Sequence, residues 1–360
     1  MFHVVGSGWD ALNHTESLGA DVTRPSTYEH SRYLEAKRTV DDRALHRPTL
    51  DRLRESLAGR SAPLRVVEAG CGTGTMLRRL LAWGILPDEV VYRGYDLREE
   101  AIDRAVGGIA TWADGAGYVL EIEEGSTGPD AGPGRTLRLS GEDDSSATAT
   151  FAAADAVEVA RRTDAEYDLL VGCAFLDIVD LDRALGPLLG LVPDGLAYFP
   201  ITFDGETFLR PSFGGDGTID GSIERAVLDV YHATMDAPDR PGGSRTGREL
   251  LEALPAAGGE VVAGGGSDWL VTPPYPDDEA YFLHYLVDGI EGAVSEAIAD
   301  DGDVDGSSSV AGADAAARLS PEAVSEWAEA RHRGITEGRL TFGAHNLDVL
   351  ARVESDDRIE

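Results

Sequence analysis

Apolar positions along the chain change their rhythm twice. From residue 26 to 59, Tyr33, Val40, Ala44, Leu50, Leu53 and Leu57 form an interrupted helical stripe, punctuated by Pro48 and ended by Gly59. This predicts one or two helices. From Leu64 the pattern becomes short continuous apolar runs alternating with amphipathic ones, the rhythm of a parallel α/β sheet. "LRVVEAG" predicts a buried strand, and "TMLRRLLAWGI" a helix with Met76, Leu77, Leu80 and Leu81 inward. "EVVYRGYDL" predicts a second strand and "REEAIDRAV" its helix, whose first turn carries Glu99 and Glu100 where the helix dipole favours anions. "TATFAAAD", "YDLLVGCAF" and "LAYFPITF" predict the third, fourth and fifth strands, with a helix over 182–191 between the last two.

The simple alternation breaks at 107–150, where "YVLEIEEG" and "RTLRLSGE" flank the Gly/Pro-rich "STGPDAGPG" and predict an inserted hairpin. A Gly/Asp-rich loop is predicted over 204–222, followed by the helix "SIERAVLDVYHATMD". "RTGRELLEAL" is a further helix, in which Thr246 and Glu249 fit a capping box. "GEVVAGGGSDWLVTP" predicts a sixth strand or hairpin, and "RLTFGAHNLDVLARV" a last strand. Residues 277–338 between them read as a helical insertion, with a disordered loop at 299–314 that is low in apolar residues. Residues 1–60 read as an N-terminal helical cap, loosely ordered over 1–24, and 61–360 as the main domain.

The chain carries 31 basic and 65 acidic residues, a formal charge of 31 − 65 = −34. Lys37 is the one lysine; the other basic residues are arginines. Excess carboxylate with almost no lysine looks like adaptation to high salt, where screening over about 3 Å makes dense surface charge tolerable. The same balance disfavours a broad nucleic-acid footprint, which needs clustered cations. Cys71 and Cys173 lie far apart without metal-ligand spacing, so neither a disulfide framework nor a zinc site is expected, and no metal is assigned. The stretch "MFHVVGSGWDALNH" lacks a basic n-region and a long apolar core, and no apolar run reaches membrane-spanning length. A cytoplasmic protein without a membrane partner is expected.

The densest chemical signal is "VVEAGCGTGTML", residues 66–77. Gly70 and Gly72 fit the start of a dinucleotide fingerprint, but Thr75 stands where its third glycine belongs. No lysine follows to make a P-loop. Gly74 completes a G-x-G-x-G spacing, with Glu68 two residues ahead of Gly70. Such a loop lets backbone approach a ligand closely without being built for phosphates. Asp96, ending the second strand, is placed to accept from both hydroxyls of an unphosphorylated ribose. Asp155 ends the third strand, in reach of an adenine amino group.

"VVEAGCGTG", "YRGYDL", "AAADAV" and "YDLLVGCAF" together resemble motifs I to IV of the class I S-adenosylmethionine-dependent methyltransferases, in order and spacing apart from the 107–150 insertion. "LVPDGLAYF" resembles the turn into that family's fifth strand, with Leu196 in place of its second glycine. The resemblance covers about 64–203 well, and 246–272 and 339–352 weakly. It implies a seven-stranded Rossmann-like sheet, mostly parallel with an antiparallel last strand and helices on both faces. It implies S-adenosylmethionine as cofactor. Gly70, Cys71, Gly72 and Gly74 would pass under the methionyl and ribose portions, and Glu68 would sit near the methionyl amino group. Asp96 would hold the ribose, with Leu97 beside the adenine; Asp155 and Ala156 would read the adenine, and Cys173 would lie near the sulfonium.

Methyl transfer is an in-line displacement that needs mainly positioning, so the catalytic residue is poorly constrained by sequence. Asp177 and His232 are candidate bases; Asp177 reads equally as a helix N-terminal acid or cap, and a lone histidine such as His232 is usually structural. Tyr33 and Lys37 on the N-terminal helix, and Arg245 and Arg248 at a helix start, are candidate substrate contacts. "TPPY" at 272–275 is similar to the N/D-P-P-Y/F motif of amino-methylating nucleic-acid enzymes, but it follows the sixth strand rather than the fourth and starts with Thr272. The aromatic residues Phe203, Phe208, Phe213 and Tyr231 suggest an enclosed pocket for a small organic acceptor. The alternatives are a nucleic-acid methyltransferase, an aminopropyl transferase on the same sheet, and a non-catalytic module that binds S-adenosylmethionine. Acceptor atom, pathway and oligomeric state are not specified by the sequence.

Overall fold

The computed structural model describes residues 21–126, 133–142, 144–212, 221–238, 240–300 and 314–354. Its scaffold is one mixed sheet. The parallel centre consists of β1 (Leu64–Ala69), β2 (Glu89–Asp96), β5 (Ser146–Ala153), β6 (Leu169–Val171) and β7 (Leu196–Arg210). Two further strands, β3 (Tyr118–Ser126) and β4 (Pro133–Gly141), lie before β5 in the chain. β8 (Gly259–Gly266), β9 (Trp269–Val271) and β10 (Thr341–Val353) come after β7. The spatial order is β3-β4-β5-β2-β1-β6-β7-β10-β8, with β9 beside β10. β10 runs antiparallel to both β7 and β8, as expected of the last strand.

The sheet has ten strands rather than the expected seven. The hairpin β3–β4 does not stand apart from the sheet: β4 pairs with β5 from Gly134 to Ser140 and extends it. Alternation explains this, since Leu137 and Leu139 are buried while Arg138 and Ser140 face solvent. The insertion also begins later than residue 107. Helix α5 (Glu99–Gly115) continues through the Gly107–Gly108 pair, because Ile109 and Ala113 prolong the buried stripe of Ile102 and Ala105. The tip of the hairpin, 127–132, lies outside the described residues.

β7 likewise runs on through residues 204–210, where a loop was expected. Asp204, Thr207 and Leu209 turn inward, Glu206, Phe208 and Arg210 outward, and the strand pairs with β10 as far as Arg210–Thr341. "GEVVAGGGSDWLVTP" forms β8 and β9, which do not pair with each other but both with β10.

The N-terminal stripe folds as three helices, α1 (His30–Ala36), α2 (Arg38–Ala44) and α3 (Arg47–Leu57). Helix α4 (Thr75–Ala82) follows β1, α6 (Ala156–Ala160) follows β5, and α7 (Leu181–Leu189) links β6 to β7. Helices α8 (Ser222–Met235) and α9 (Thr246–Ala256) follow β7. The capping box is not made: Arg245 is the N-cap without a side-chain bond, and the Thr246 hydroxyl donates to the Gly243 carbonyl at 2.9 Å. Helices α10 (Glu279–Asp300) and α11 (Pro321–Thr336) occupy the predicted insertion; most of the loop assigned to 299–314 lies outside the described residues.

Three apolar cores result. Two flank the sheet, one under α3, α4 and α5, the other under α6, α7 and α9. The third lies beyond the sheet, where α8, α10 and α11 pack around fully buried Trp327, Phe282 and Val227. No helix among the described residues is long and apolar enough to cross a membrane.

Candidate active site

The glycine loop joins β1 to α4, and Gly70, Gly72 and Gly74 all take left-handed backbone, with φ of 69°, 50° and 71°. At Gly70 the requirement is absolute: a Cβ there would lie 2.5 Å from Cδ2 of Phe175. At Gly72 the space is freer, with only Leu34 of α1 approaching at 3.4 Å. Gly72 N–H instead donates to Oδ2 of Asp96 at 3.0 Å, while Oδ1 of Asp96 accepts from Arg98 N–H at 2.9 Å. The Asp96 carboxylate therefore fixes the loop against the tip of β2. Leu97 beside it is 74% exposed, an apolar side chain with nothing over it.

Beneath the loop, Glu68 is 1% exposed and its Oε2 has no hydrogen-bond partner. Burial, reinforced by the nearby Asp96 and opposed by Arg79 and Lys37, holds its carboxyl well above the usual carboxylate range. Cys71 offers the site only backbone, since its side chain is buried in the sheet core and its N–H donates to the Tyr95 carbonyl at 2.9 Å. Cys173 is half-buried, and burial pushes its thiol up to about 12, so it is no thiolate at neutral pH. Ala156 is buried at the start of α6. Asp155 is exposed, and its Oδ1 caps α6 by accepting from Val157 and Glu158 N–H at 2.9 and 3.1 Å.

The N-terminal helices lie across this cradle and are tied down by charge. Arg78 pairs with Glu35 at 3.1 Å, and the Ser31 hydroxyl donates to Glu100 at 2.6 Å. Arg79, buried, donates to Asp42 at 2.6 Å and to Asp41 at 3.4 Å. Asp41 also accepts from the Trp269 indole at 3.0 Å and pairs with Lys37 at 3.3 Å. Lys37 is thus 8% exposed, with Nζ 5.6 Å from the Trp269 ring centre.

A half-enclosed cavity of about 320 Å³ opens beyond the end of β6 and beside the second half of β7. Tyr33, Phe203, Tyr231, Trp269 and Phe342 form its aromatic walls, and Asp177, Thr207, Asn346 and Arg240 bring polar groups to it. The turn after β6 serves both sites: Phe175 covers Gly70, while Ala174 and Asp177 line the cavity. Oδ1 of Asp177 is buried without a partner, and burial, opposed by Lys37, lifts this carboxyl to about 6. Ile201 on the cavity floor has φ of 54°, a strained conformation for a β-branched residue. Asp348 holds it there by accepting Ile201 N–H at 2.9 Å, together with the Tyr198 hydroxyl and His46 N–H.

Tyr33 stacks on Tyr285 at 4.3 Å and faces the cavity, whereas Lys37 lies behind Trp269 and is not among the lining residues. His232 stands behind the wall, its Nε2 3.1 Å from the Thr207 hydroxyl, and burial lowers its pKa. The helix-start arginines are elsewhere. Arg248 is committed to Asp204, with Nε and Nη2 at 2.7 and 3.0 Å from the carboxylate, and Arg245 is exposed and off the cavity. Of the four expected pocket aromatics, Phe203 and Tyr231 line it, Phe208 faces outward, and Phe213 lies outside the described residues. Trp269, Phe342, Asn346 and Arg240 were not anticipated; long-range pairing of β9 and β10 brings in the first three, and Arg240 comes from the segment between α8 and α9. Tyr275 of "TPPY" is buried, donating to the Leu340 carbonyl at 2.6 Å, away from the cavity.

No family model matches the chain and no curated protein is matched by its sequence. Among solved structures it is similar to a putative methyltransferase from Bacillus halodurans C-125, at 10% identity and TM-score 0.44 over 86% of this chain and 100% of that one. It is similar to a putative sarcosine dimethylglycine methyltransferase from Galdieria sulphuraria, at 15% identity and TM-score 0.37 over 93% and 94%. It is also similar to a phosphoethanolamine N-methyltransferase 2 from Haemonchus contortus, solved with phosphomonomethylethanolamine and S-adenosylhomocysteine, at 12% identity and TM-score 0.39 over 90% and 57%. Identities of 10–15% make these likenesses of fold and not of chemistry.

Proposed function

We propose that the protein binds S-adenosylmethionine at the glycine loop and transfers its methyl group to a small organic acceptor held in the aromatic cavity. The observation that carries this reading is the orphaned Oε2 of Glu68, buried under a left-handed glycine loop whose other side is held by Asp96. A buried carboxylate oxygen without a donor fits a ligand that brings an ammonium group. Asp96 fits a ribose, and bare Leu97 fits the face of an adenine. The cofactor would supply a methyl group on a sulfonium.

The chain's own contribution is placement and proton handling. The aromatic walls exclude water and hold the acceptor. Asp177, with a carboxyl near 6, is ionised above neutral pH and takes the acceptor's proton. Arg240 at the cavity, ion-paired with Glu296 at 3.3 Å, meets anionic or polar parts of the acceptor. The cavity's mostly apolar lining favours a small molecule over a nucleic acid, whose backbone needs a basic groove.

The test is calorimetric titration with S-adenosylmethionine and S-adenosylhomocysteine in molar potassium chloride. Both are expected to bind, and Asp96→Ala is expected to weaken binding at least tenfold. Failure of both ligands to bind the folded protein removes the reading. Binding without transfer of labelled methyl to any component of a cell extract makes the protein a non-catalytic binding module.

A further inference from the structure

The third core carries a chemical feature that the methyl-transfer site does not use. His284 on α10 and His332 on α11 are both buried and stack at 5.1 Å, with their Nδ1 atoms 2.8 Å apart. Nε2 of His284 lies 3.1 Å from the Val22 carbonyl. A carbonyl only accepts, so this Nε2 carries the hydrogen. In a neutral ring the Nδ1 of His284 is then a bare acceptor. The short contact between the two Nδ1 atoms therefore places a hydrogen on Nδ1 of His332. The remaining nitrogen of His332, Nε2, is left with a lone pair.

That nitrogen is buried in a residue only 3% exposed, and it has no hydrogen-bond partner. Asp288 and Glu291, three residues apart on α10, come to the His332 ring from the facing helix. One ligand atom from each of the three residues lies within 4.8 Å of the others. A lone pair facing two carboxylates calls for a cation.

We infer that His332, Asp288 and Glu291 form a binding site for a divalent transition-metal ion, which joins α10 to α11. Ligand atoms around an ion at about 2.1 Å stand roughly 3–4 Å apart, so small side-chain movements complete the site. One imidazole and two carboxylates suit zinc, cobalt or manganese, whereas magnesium and calcium prefer oxygen alone. The hydrogen bond from His332 to His284, and from His284 to Val22, is the outer support that fixes a metal-binding tautomer. A cavity of about 350 Å³ against His332 leaves room for the water ligands of an incomplete set. The charged groups around it are mixed. Arg24 pairs with Asp288 Oδ1 at 3.6 Å, while Glu329, Arg333 and Glu337 line the cavity. Arg24 engages one oxygen of Asp288 at that length, so the second oxygen stays available to an ion.

The experiment uses the full chain, stripped with a chelator and titrated with cobalt(II) chloride in molar potassium chloride, which suppresses loose binding to the acidic surface. One cobalt per chain is expected, with visible absorption bands of an imidazole-ligated ion that zinc displaces. Asp288→Asn and Glu291→Gln, both at half-buried positions, are each expected to weaken binding at least tenfold. His332→Gln is expected to abolish the bands, and if that protein does not fold, the two carboxylate variants decide. No saturable one-per-chain spectrum, or one that Asp288→Asn and Glu291→Gln leave unchanged, overturns the inference. Methyl transfer is not read in this experiment, so its outcome is independent of the proposed activity.

Discussion

Replacing Asp177 by asparagine removes one charge from the wall of the aromatic cavity and changes little else in volume. The native carboxyl titrates at about 6 instead of 3.8, because burial disfavours its ionised form more than Lys37 favours it. The sign follows from proton counting. Between these two values the folded protein holds a proton that the unfolded chain has released, so stability rises as pH falls through 6 and levels off below 3.8. Above 6 the ionised carboxylate costs the fold its full amount. At about 1.4 kcal/mol per pH unit, the rise amounts to about 3 kcal/mol. Some solvent contact at this half-buried residue brings the expected effect to about 1–3 kcal/mol. Asp177→Asn is therefore expected to be more stable than the native protein by that amount at pH 8, and equal to it near pH 4. Denaturant unfolding of both proteins across this range, in molar salt, reads the difference directly. Other shifted groups, such as Glu68 and Asp348, are common to both proteins and cancel. A difference that does not vary with pH, or a variant less stable at pH 8, refutes the reasoning. The same substitution removes the proposed proton acceptor, so the gain in stability should come with a loss of methyl transfer.

Lys37→Met removes the cation that lowers the pKa of Asp177, Glu68 and Cys173. The Asp177 titration is expected to move above 6, seen as a shift of its carboxyl carbon resonance with pH. Gly70→Ala combines a left-handed residue, about 1–2 kcal/mol, with a Cβ 2.5 Å from Phe175. Overpacking adds about 1–3 kcal/mol, and thermal unfolding near the native temperature would contradict this. Asp348→Ala leaves the donors of His46, Tyr198 and Ile201 without their acceptor. A loss of about 3 kcal/mol or more is expected, with disturbed ligand binding in the cavity, checked by unfolding and by calorimetry.

The parts of the site that were legible in sequence are those fixed by neighbours along the chain. A strand followed by G-x-G-x-G must turn tightly, and an acid at the end of the next strand falls beside it; the Gly72–Asp96 bond is the result. Asp155 was placed correctly at the tip of β5, but its role was read from its position alone. The first claim on an aspartate before a helix is the helix's own free N–H groups, and Asp155 meets it. Arg248 is committed to a carboxylate for a related reason. A helix start looks like an anion site, but Asp204 arrives there only because β7 continues seven residues past the expected strand end. The cavity was half legible. Its aromatic walls come from five separate elements, and nothing local announces that Trp269 and Phe342 will line one cavity with Tyr33.

The lone lysine draws these regions together. Elsewhere the chain answers carboxylates with arginine, whose planar fork suits two-pronged pairs such as Arg248–Asp204 and Arg32–Asp278. Position 37 makes a different demand. Asp41 already accepts from the Arg79 guanidinium and the Trp269 indole, so little of it remains open to a second fork. A compact ammonium reaches Asp41 at 3.3 Å and still lies over the Trp269 ring. From there its charge acts on Glu68 under the glycine loop and on Asp177 in the cavity wall at once. One buried point charge thus favours the ionised form of both acids, the one proposed to meet the cofactor and the one proposed to meet the acceptor.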